Sequence, residues 1–156
     1  MNWDEFTART EAIRSKLYQT AVLYLGNEGA AEEALAETIY KALHACKKLR
    51  EPEYFDTWIT RILLNVCADE HRRKKRLVEL DELPETATEN FDALPLRDAI
   101  ARLPQELRKV VILRYFSGYT LQECAEILHV PQGTVATRQR RALSLLRLEL
   151  GEEGRE

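Results

Sequence analysis

No phosphate-cradling glycine loop, no H-E-x-x-H and no nucleophile-and-base set occurs anywhere in the chain. Their absence argues against an enzyme, a bound cofactor and a small-molecule substrate. Cysteine is sparse: Cys46, Cys67 and Cys124, an odd set with no C-x-x-C pair, which argues against a disulfide framework. His44, Cys46, Cys67 and His71 could be read as a zinc set, because Cys67 and His71 share a helical face. Without a tight cysteine pair, small buried hydrophobes are the better reading, and no metal is expected. No apolar run approaches the ~20 residues of a membrane span. The opening MNWDEFTARTEAIR is charged and amphipathic, unlike a signal peptide, so the chain is expected in the cytoplasm.

What is present is enough for a packed core. Hydrophobic residues make up 45% and charged residues 31% of 156 positions, which suits one soluble domain or two small ones. The net charge of −3 is distributed unevenly. Residues 1–76 carry 13 Lys and Arg against 12 acids, and residues 97–156 carry 10 against 8. Between them LVELDELPETATENFDALP, Leu77–Pro95, has six acids, no base and two prolines. Its weak periodicity reads as a linker.

Both flanks have helical periodicity, and no internal repeat is found. Phe6, Ile13, Leu17, Ala21 and Tyr24 recur as on one face of an amphipathic helix, with Gly26-Asn27 as its stop. A second helix over about 28–49 starts with Glu28, Glu32 and Glu33 and ends with Lys47, Lys48 and Arg50, the order that suits the helix dipole. After Pro52 a third runs from about Glu53 to Arg73, with Phe55, Ile59, Ile62 and Val66 on one face. Trp58, Arg61, Asn65 and Arg72 fall within about 60° of one another beside it. HRRKKR, His71–Arg76, extends that helix with five cations.

Four shorter helices are expected in the second half. One spans about 95–103, and Pro104 opens another carrying Leu107, Val110, Val111 and Arg114 as far as Phe116. Ser117-Gly118-Tyr119 breaks it. Thr120 with Glu123 is a capping box for the third, which holds Leu121, Cys124, Ala125, Ile127 and Leu128. After His129–Gly133 a fourth runs from about Gln132 to Glu149. From Val130 to Arg147 it has four arginines and no acid.

A capped helix, a short turn and an arginine-rich helix make a helix-turn-helix, whose second helix enters the DNA major groove. Val135, Ala142 and Leu146 form its inward stripe. Thr134, Thr137, Arg138, Arg141 and Ser144 form another, bordered by Arg140. Arginine pairs bidentately with guanine, and threonine contacts phosphate or a base edge. The competing structural reading is a solvated basic face on a helical bundle.

LPQELRKVVILRYFSGYTLQECAEILHVPQGTVATRQRRAL, Leu103–Leu143, resembles region four of the bacterial sigma factors. AAEEALAETIYKAL, Ala30–Leu43, resembles their polymerase-binding helix in region two, and YFDTWITRILLNVCADEHRRKKR, Tyr54–Arg76, the helix that opens the promoter. Two domains joined by a short linker, with no region three between, resemble the extracytoplasmic-function (ECF) branch. The resemblance covers about residues 5–149. It implies an all-α fold of two small helical domains: region two at 1–76, the acidic linker at 77–95 and region four at 96–150.

The resemblance also implies roles. Glu32, Glu33, Ala36 and Glu37 would bind core RNA polymerase, with Ala36 standing where the family has glutamine. Tyr54, Trp58, Arg61, Asn65, Arg72, Arg73 and Lys74 would capture the non-template strand of the minus-ten element. Single-strand capture needs backbone cations and a stacking platform; for Trp58 a place in the core is the alternative. Thr134, Thr137, Arg138, Arg140 and Arg141 would read the minus-thirty-five promoter DNA. Ala136 replaces a common lysine there. Gln139 sits where the family buries Leu or Ile, and two placements are open: the rim of the core, or a rotated helix. The linker is either a solvated tether or a segment lying along polymerase's RNA exit path. A cognate anti-sigma factor, often membrane-anchored in this branch, is the further partner implied. The alternative function is a stand-alone helix-turn-helix regulator binding duplex DNA as a dimer; an interaction protein that sequesters a partner is a third. The constellation from Trp58 to Arg76 counts against the regulator, and the arginine-rich helix against the interaction protein.

Overall fold

Asn2 starts the first helix by accepting the Glu5 amide on its side chain at 2.8 Å, and Gly26 ends it in the left-handed region at φ 73°. Between them, α1 (Trp3–Leu25) buries Phe6, Ile13, Leu17, Ala21 and Tyr24, the five residues of the expected stripe. A computed structural model describes residues 1–81 and 94–150. Among the described residues every regular element is helical. The chain divides into two compact units, Met1–Ala87 and Thr88–Glu156.

In the first unit Asn27 caps α2 (Glu28–Ala45) through its side-chain oxygen, 2.8 Å from the Ala30 amide. The chain then makes two 3₁₀ turns, Cys46–Lys48 and Pro52–Tyr54, before α3 (Phe55–Asp81). The three helices pack against one another around Phe55, Leu17, Ile59, Leu63 and Leu64, all nearly or fully inaccessible. Phe6 and Phe55 meet edge to face at 5.9 Å. Ile62, expected on the core face of α3, is half-buried, while Leu63, Leu64 and Cys67 are buried instead. A helix wedged between two others buries a wider arc than one stripe.

Helix α3 also continues past Arg76, where it was expected to end, to Asp81. Val78 to Asp81 contains no helix breaker, and the first proline after Pro52 is Pro84. The rest of the acidic linker, apart from Leu94 and Pro95, lies outside the described residues.

The second unit holds α4 (Leu94–Arg102), α5 (Gln105–Val111), α6 (Leu121–Leu128) and α7 (Gln132–Leu150). The expected straight run from Pro104 to Phe116 is broken: Ile112–Phe116 forms a π turn, closed by the Ser117 amide on the Ile112 carbonyl at 2.9 Å. A widened turn lets the chain reverse at Gly118, φ 78°, and buries Tyr119. Helix α7 packs on α5, α6 and α4, inserting Val135, Ala142 and Leu146 into a core with Ile100, Val110, Ile112 and Leu113.

Candidate nucleic-acid interface

The second unit presents its candidate face through a chain of local constraints. Thr120 accepts the Glu123 amide at 3.1 Å while Glu123 accepts the Thr120 amide at 2.9 Å, a complete capping box on α6. His129 ends α6 in the left-handed region at φ 59°, and Pro131 starts α7 with its carbonyl accepting the Thr134 amide at 3.0 Å. With Val135 and Ala142 fully buried, the opposite side of α7 faces solvent. Thr137, Arg140, Arg141 and Ser144 are exposed there, and Thr134 is half-buried. Arg138 behaves differently: its side chain is 23% exposed and its guanidinium lies 3.8 Å from Glu106 of α5. Arg140 donates to the Thr137 hydroxyl at 3.4 Å, so two side chains of the face contact each other.

Gln139 takes the first of its two open placements. It lies half-buried at the rim of the core, where its carbonyl oxygen accepts from Arg114 Nε at 3.0 Å. Arg114 also donates to the Tyr119 carbonyl at 2.9 Å. The pair ties α7 to the turn after the π segment, a job an apolar residue there could not do.

Sequence reasoning misses a cation that is buried outright, unlike the half-buried Arg114 and Arg138. Arg108 is 5% exposed and donates to the carbonyls of Ile100 (3.2 Å), Ala101 (2.5 Å) and Leu103 (3.1 Å). They lie at and just past the end of α4, where helix carbonyls lack α-helical partners, although the Ile100 carbonyl also accepts the Leu103 amide at 3.1 Å. A signal was present: Pro104 stops α4, and an arginine between Leu107 and Val110 on an apolar face needs acceptors.

In the first unit the α3 residues do not form one surface. Trp58, Arg61, Asn65 and Arg72 share the expected stripe. Trp58 is half-buried, tilted against Phe55 at 5.7 Å between ring centres, so it is part core and part surface. Arg61 is half-buried, and Asn65 and Tyr54 are exposed. Arg73 and Lys74 point elsewhere, at about 60° and 160° from Trp58 around the axis. They line a cleft of about 470 Å³ with Glu70, Leu77 and the start of α2: Asn27, Gly29, Ala30 and Glu33. One candidate polymerase contact, Glu33, thus shares a cleft with two candidate DNA contacts.

Two α3 arginines are already answered. Arg72 pairs with Asp69, and Arg73 Nη2 reaches both oxygens of Glu70 at 2.7 and 2.8 Å. The hydrogen bond and charge of Glu70 raise Arg73 above the usual arginine value; burial opposes this, and Glu33 and Glu37 add to it. On α2, Glu32, Glu33, Ala36 and Glu37 are all exposed.

The cysteines are free and buried. Burial pushes the Cys67 thiol up to about 12, with Glu70 adding to it. Burial likewise pushes Cys124 up to about 11, with Arg114 opposing and Glu123 adding. Among the described residues no group of three or more His, Cys, Asp or Glu could hold a metal ion. No described helix is long and apolar enough to cross a membrane.

Comparison with known proteins follows the same division. Residues 10–77 match the family model of Sigma-70 region 2, and residues 93–146 that of Sigma-70 region 4. The RNA polymerase sigma factor SigV of Bacillus subtilis is 31% identical, over 90% of this chain and 87% of its own length. The ECF RNA polymerase sigma factor SigW of the same organism is 30% identical, over 94% of this chain and 89% of its own. Among solved structures, the sigma factor RpoE in complex with the anti-sigma factor NepR from Bartonella quintana superposes with a TM-score of 0.78 at 22% identity. It covers 93% of this chain and 96% of that one. CnrH in complex with the cytosolic domain of CnrY gives 0.77 at 23%, covering 98% and 92%. At these identities the likeness to the solved structures is one of fold.

Proposed function

The chain belongs to the ECF sigma factors, which direct RNA polymerase to promoters, and from that premise we propose how its residues divide the work. The region-two unit, through residue 76, docks on core polymerase and opens the minus-ten element. The region-four unit, from residue 96, reads the minus-thirty-five element. The single observation that carries this is the exposed face of α7, where Thr137, Arg140 and Arg141 stand on a helix whose other side is locked by Val135, Ala142 and Leu146. A positive face of short hydroxyls and arginines, rigidly backed and following a capped helix, suits entry into a major groove.

Thr134, Thr137, Arg140 and Arg141 make the duplex contacts. Arg138 reaches DNA only by leaving Glu106, so it serves as an anchor within the unit that contributes second. On α3, Asn65 and Arg61 contact the displaced strand, with Trp58 and Tyr54 as stacking surfaces and Arg72 as a phosphate contact. Arg73 and Lys74 act at the cleft beside α2, where the strand passes between the two helices' ends. Glu32, Glu33, Ala36 and Glu37 face polymerase. No catalysis is required: binding energy gained by holding an unstacked strand offsets the cost of melting.

The chain works in the cytoplasm. The anti-sigma factor in RpoE's complex supports a cognate anti-sigma partner here too, one that covers these faces and, where membrane-anchored, holds the protein near the membrane. The test is retention of purified core polymerase by the purified chain, followed by run-off transcription from a pool of genomic fragments. New promoter-specific transcripts are expected. Duplex binding without polymerase binding would instead favour the stand-alone regulator.

A further inference from the structure

Helix α2 buries Ala31, Ala34, Leu35, Thr38 and Ala42 and leaves one large apolar side chain outside. Tyr40 is 64% exposed and takes no part in the core. Exposure of one aromatic residue is common and by itself says little. Its setting says more. Glu33, Ala36, Glu37, Tyr40 and His44 fall within an arc of about 100° around α2, with Tyr40 close to the middle. The Tyr40 ring rests against the exposed His44 ring at 4.4 Å between centres and 63° between planes, a contact that favours one orientation of the ring in the unbound protein. Glu37 is bridged to Lys41 at 3.2 Å along one flank of the stripe, and Glu33 lies two turns toward the helix start. A pre-oriented aromatic ring among charged residues is the arrangement typical of an interface hot spot with its polar rim. Holding the ring before binding lowers the ordering cost at contact.

We propose that Tyr40 is the apolar anchor with which α2 docks on core polymerase, and that His44 is the positioning residue that holds its ring. The proposal rests on the reading of α2 as the polymerase-binding helix. The occupant is a basic surface of the polymerase core: Glu32, Glu33 and Glu37 call for cations, and Tyr40 for an apolar seat between them. Ala36 fits this division. A small side chain one turn before Tyr40 leaves the ring accessible from that side, so burial of the ring stands in for the polar interaction that glutamine makes in the family.

The experiment is competition of full-length variants against labelled wild-type chain for purified core polymerase. Tyr40→Ala is expected to weaken binding by about thirtyfold, as removal of a hot-spot aromatic does. Tyr40→Phe should stay within about threefold of wild type, because the ring and not the hydroxyl is used. His44→Ala should weaken binding several-fold and His44→Phe should restore it, a rescue that loss of imidazole chemistry would not show. Thermal midpoint and duplex DNA binding should not move, since Tyr40 packs on nothing in the core. The Glu33→Lys/Glu37→Lys double variant separates the two levels of the argument. If it loses polymerase while Tyr40→Ala binds like wild type, the docking reading stands and the anchor is overturned. If neither loses binding, the docking reading of α2 falls and the anchor with it. A Tyr40→Phe loss equal to that of Tyr40→Ala would overturn the apolar role.

Discussion

Two helices carry the candidate DNA contacts, and they hold their positive charge differently. On α3, Arg72 and Arg73 are each answered by an acid one turn earlier, Asp69 and Glu70. On α7 no acid occurs from Gln132 to Arg147, and among the described residues the ion pair formed there, by Arg138, reaches out to Glu106 of another helix. An unanswered cation attracts phosphate over a Debye length and releases counterions when it binds. A cation already in an ion pair gains less, because the phosphate must displace a carboxylate. The α7 face is therefore suited to finding duplex DNA from a distance. The stretch from Trp58 to Arg73 is suited to short-range contact with a strand already delivered, where stacking and the Asn65 amide contribute.

The difference can be broken or sharpened by substitution. The largest effect is expected from Arg108→Ala, which strips the end of α4 of three charge-assisted hydrogen bonds. It should destabilise the second unit by about 3 kcal/mol and remove duplex binding while the first unit's melting transition stays, as followed by calorimetry. Next comes Arg140→Ala with Arg141→Ala. Minus-thirty-five duplex affinity should fall at least tenfold and the slope of log K against log salt should flatten by about two, measured by titration at several salt concentrations. Unchanged affinity would mean that another face of α7 meets DNA.

Arg61→Ala with Asn65→Ala should reduce promoter opening on the order of tenfold, the loss of one or two strong hydrogen bonds, with closed-complex binding little changed. Asp69→Asn is smaller and opposite in sign. Releasing Arg72 should raise single-strand affinity about twofold and steepen its salt dependence, since an exposed pair contributes under about 1 kcal/mol. The smallest effect concerns the thiols. Both Cys67 and Cys124 stay protonated in the fold above the usual value near 9, whereas unfolded thiols ionise there. Their contribution to stability is thus full below about pH 9 and declines as pH rises, levelling near 11 for Cys124 and near 12 for Cys67. A thiol reagent at pH 10 should therefore reach Cys124 before Cys67 in the native protein.

The parts of the fold that local chemistry decides were legible in the sequence. The stripe from Phe6 to Tyr24, the Thr120–Glu123 capping box and the buried trio Val135, Ala142 and Leu146 each follow from spacing or capping within one segment. What tertiary packing decides was not legible. The π turn at Ile112–Phe116 leaves no mark in the periodicity. Gln139 looks out of place until Arg114, distant in sequence, is brought to it. Arg73 and Lys74 read as a continuation of the basic tail, yet the packing of α2 beside α3 turns them into a cleft with Glu33. The α3 stripe was legible as an angle about an axis, but its ion pairs were not: along the sequence Asp69 and Glu70 are two more acids in a mixed-charge segment.

The most direct test of this division follows 2-aminopurine in the minus-ten non-template strand, in holoenzyme assembled with each paired variant. With Arg140→Ala/Arg141→Ala, occupancy should fall, and at saturating holoenzyme the fluorescence rise should return to its full amplitude. With Arg61→Ala/Asn65→Ala, occupancy should persist while the amplitude drops. Equal loss of amplitude in both, at saturation, would contradict the separation of duplex reading on α7 from strand capture on α3.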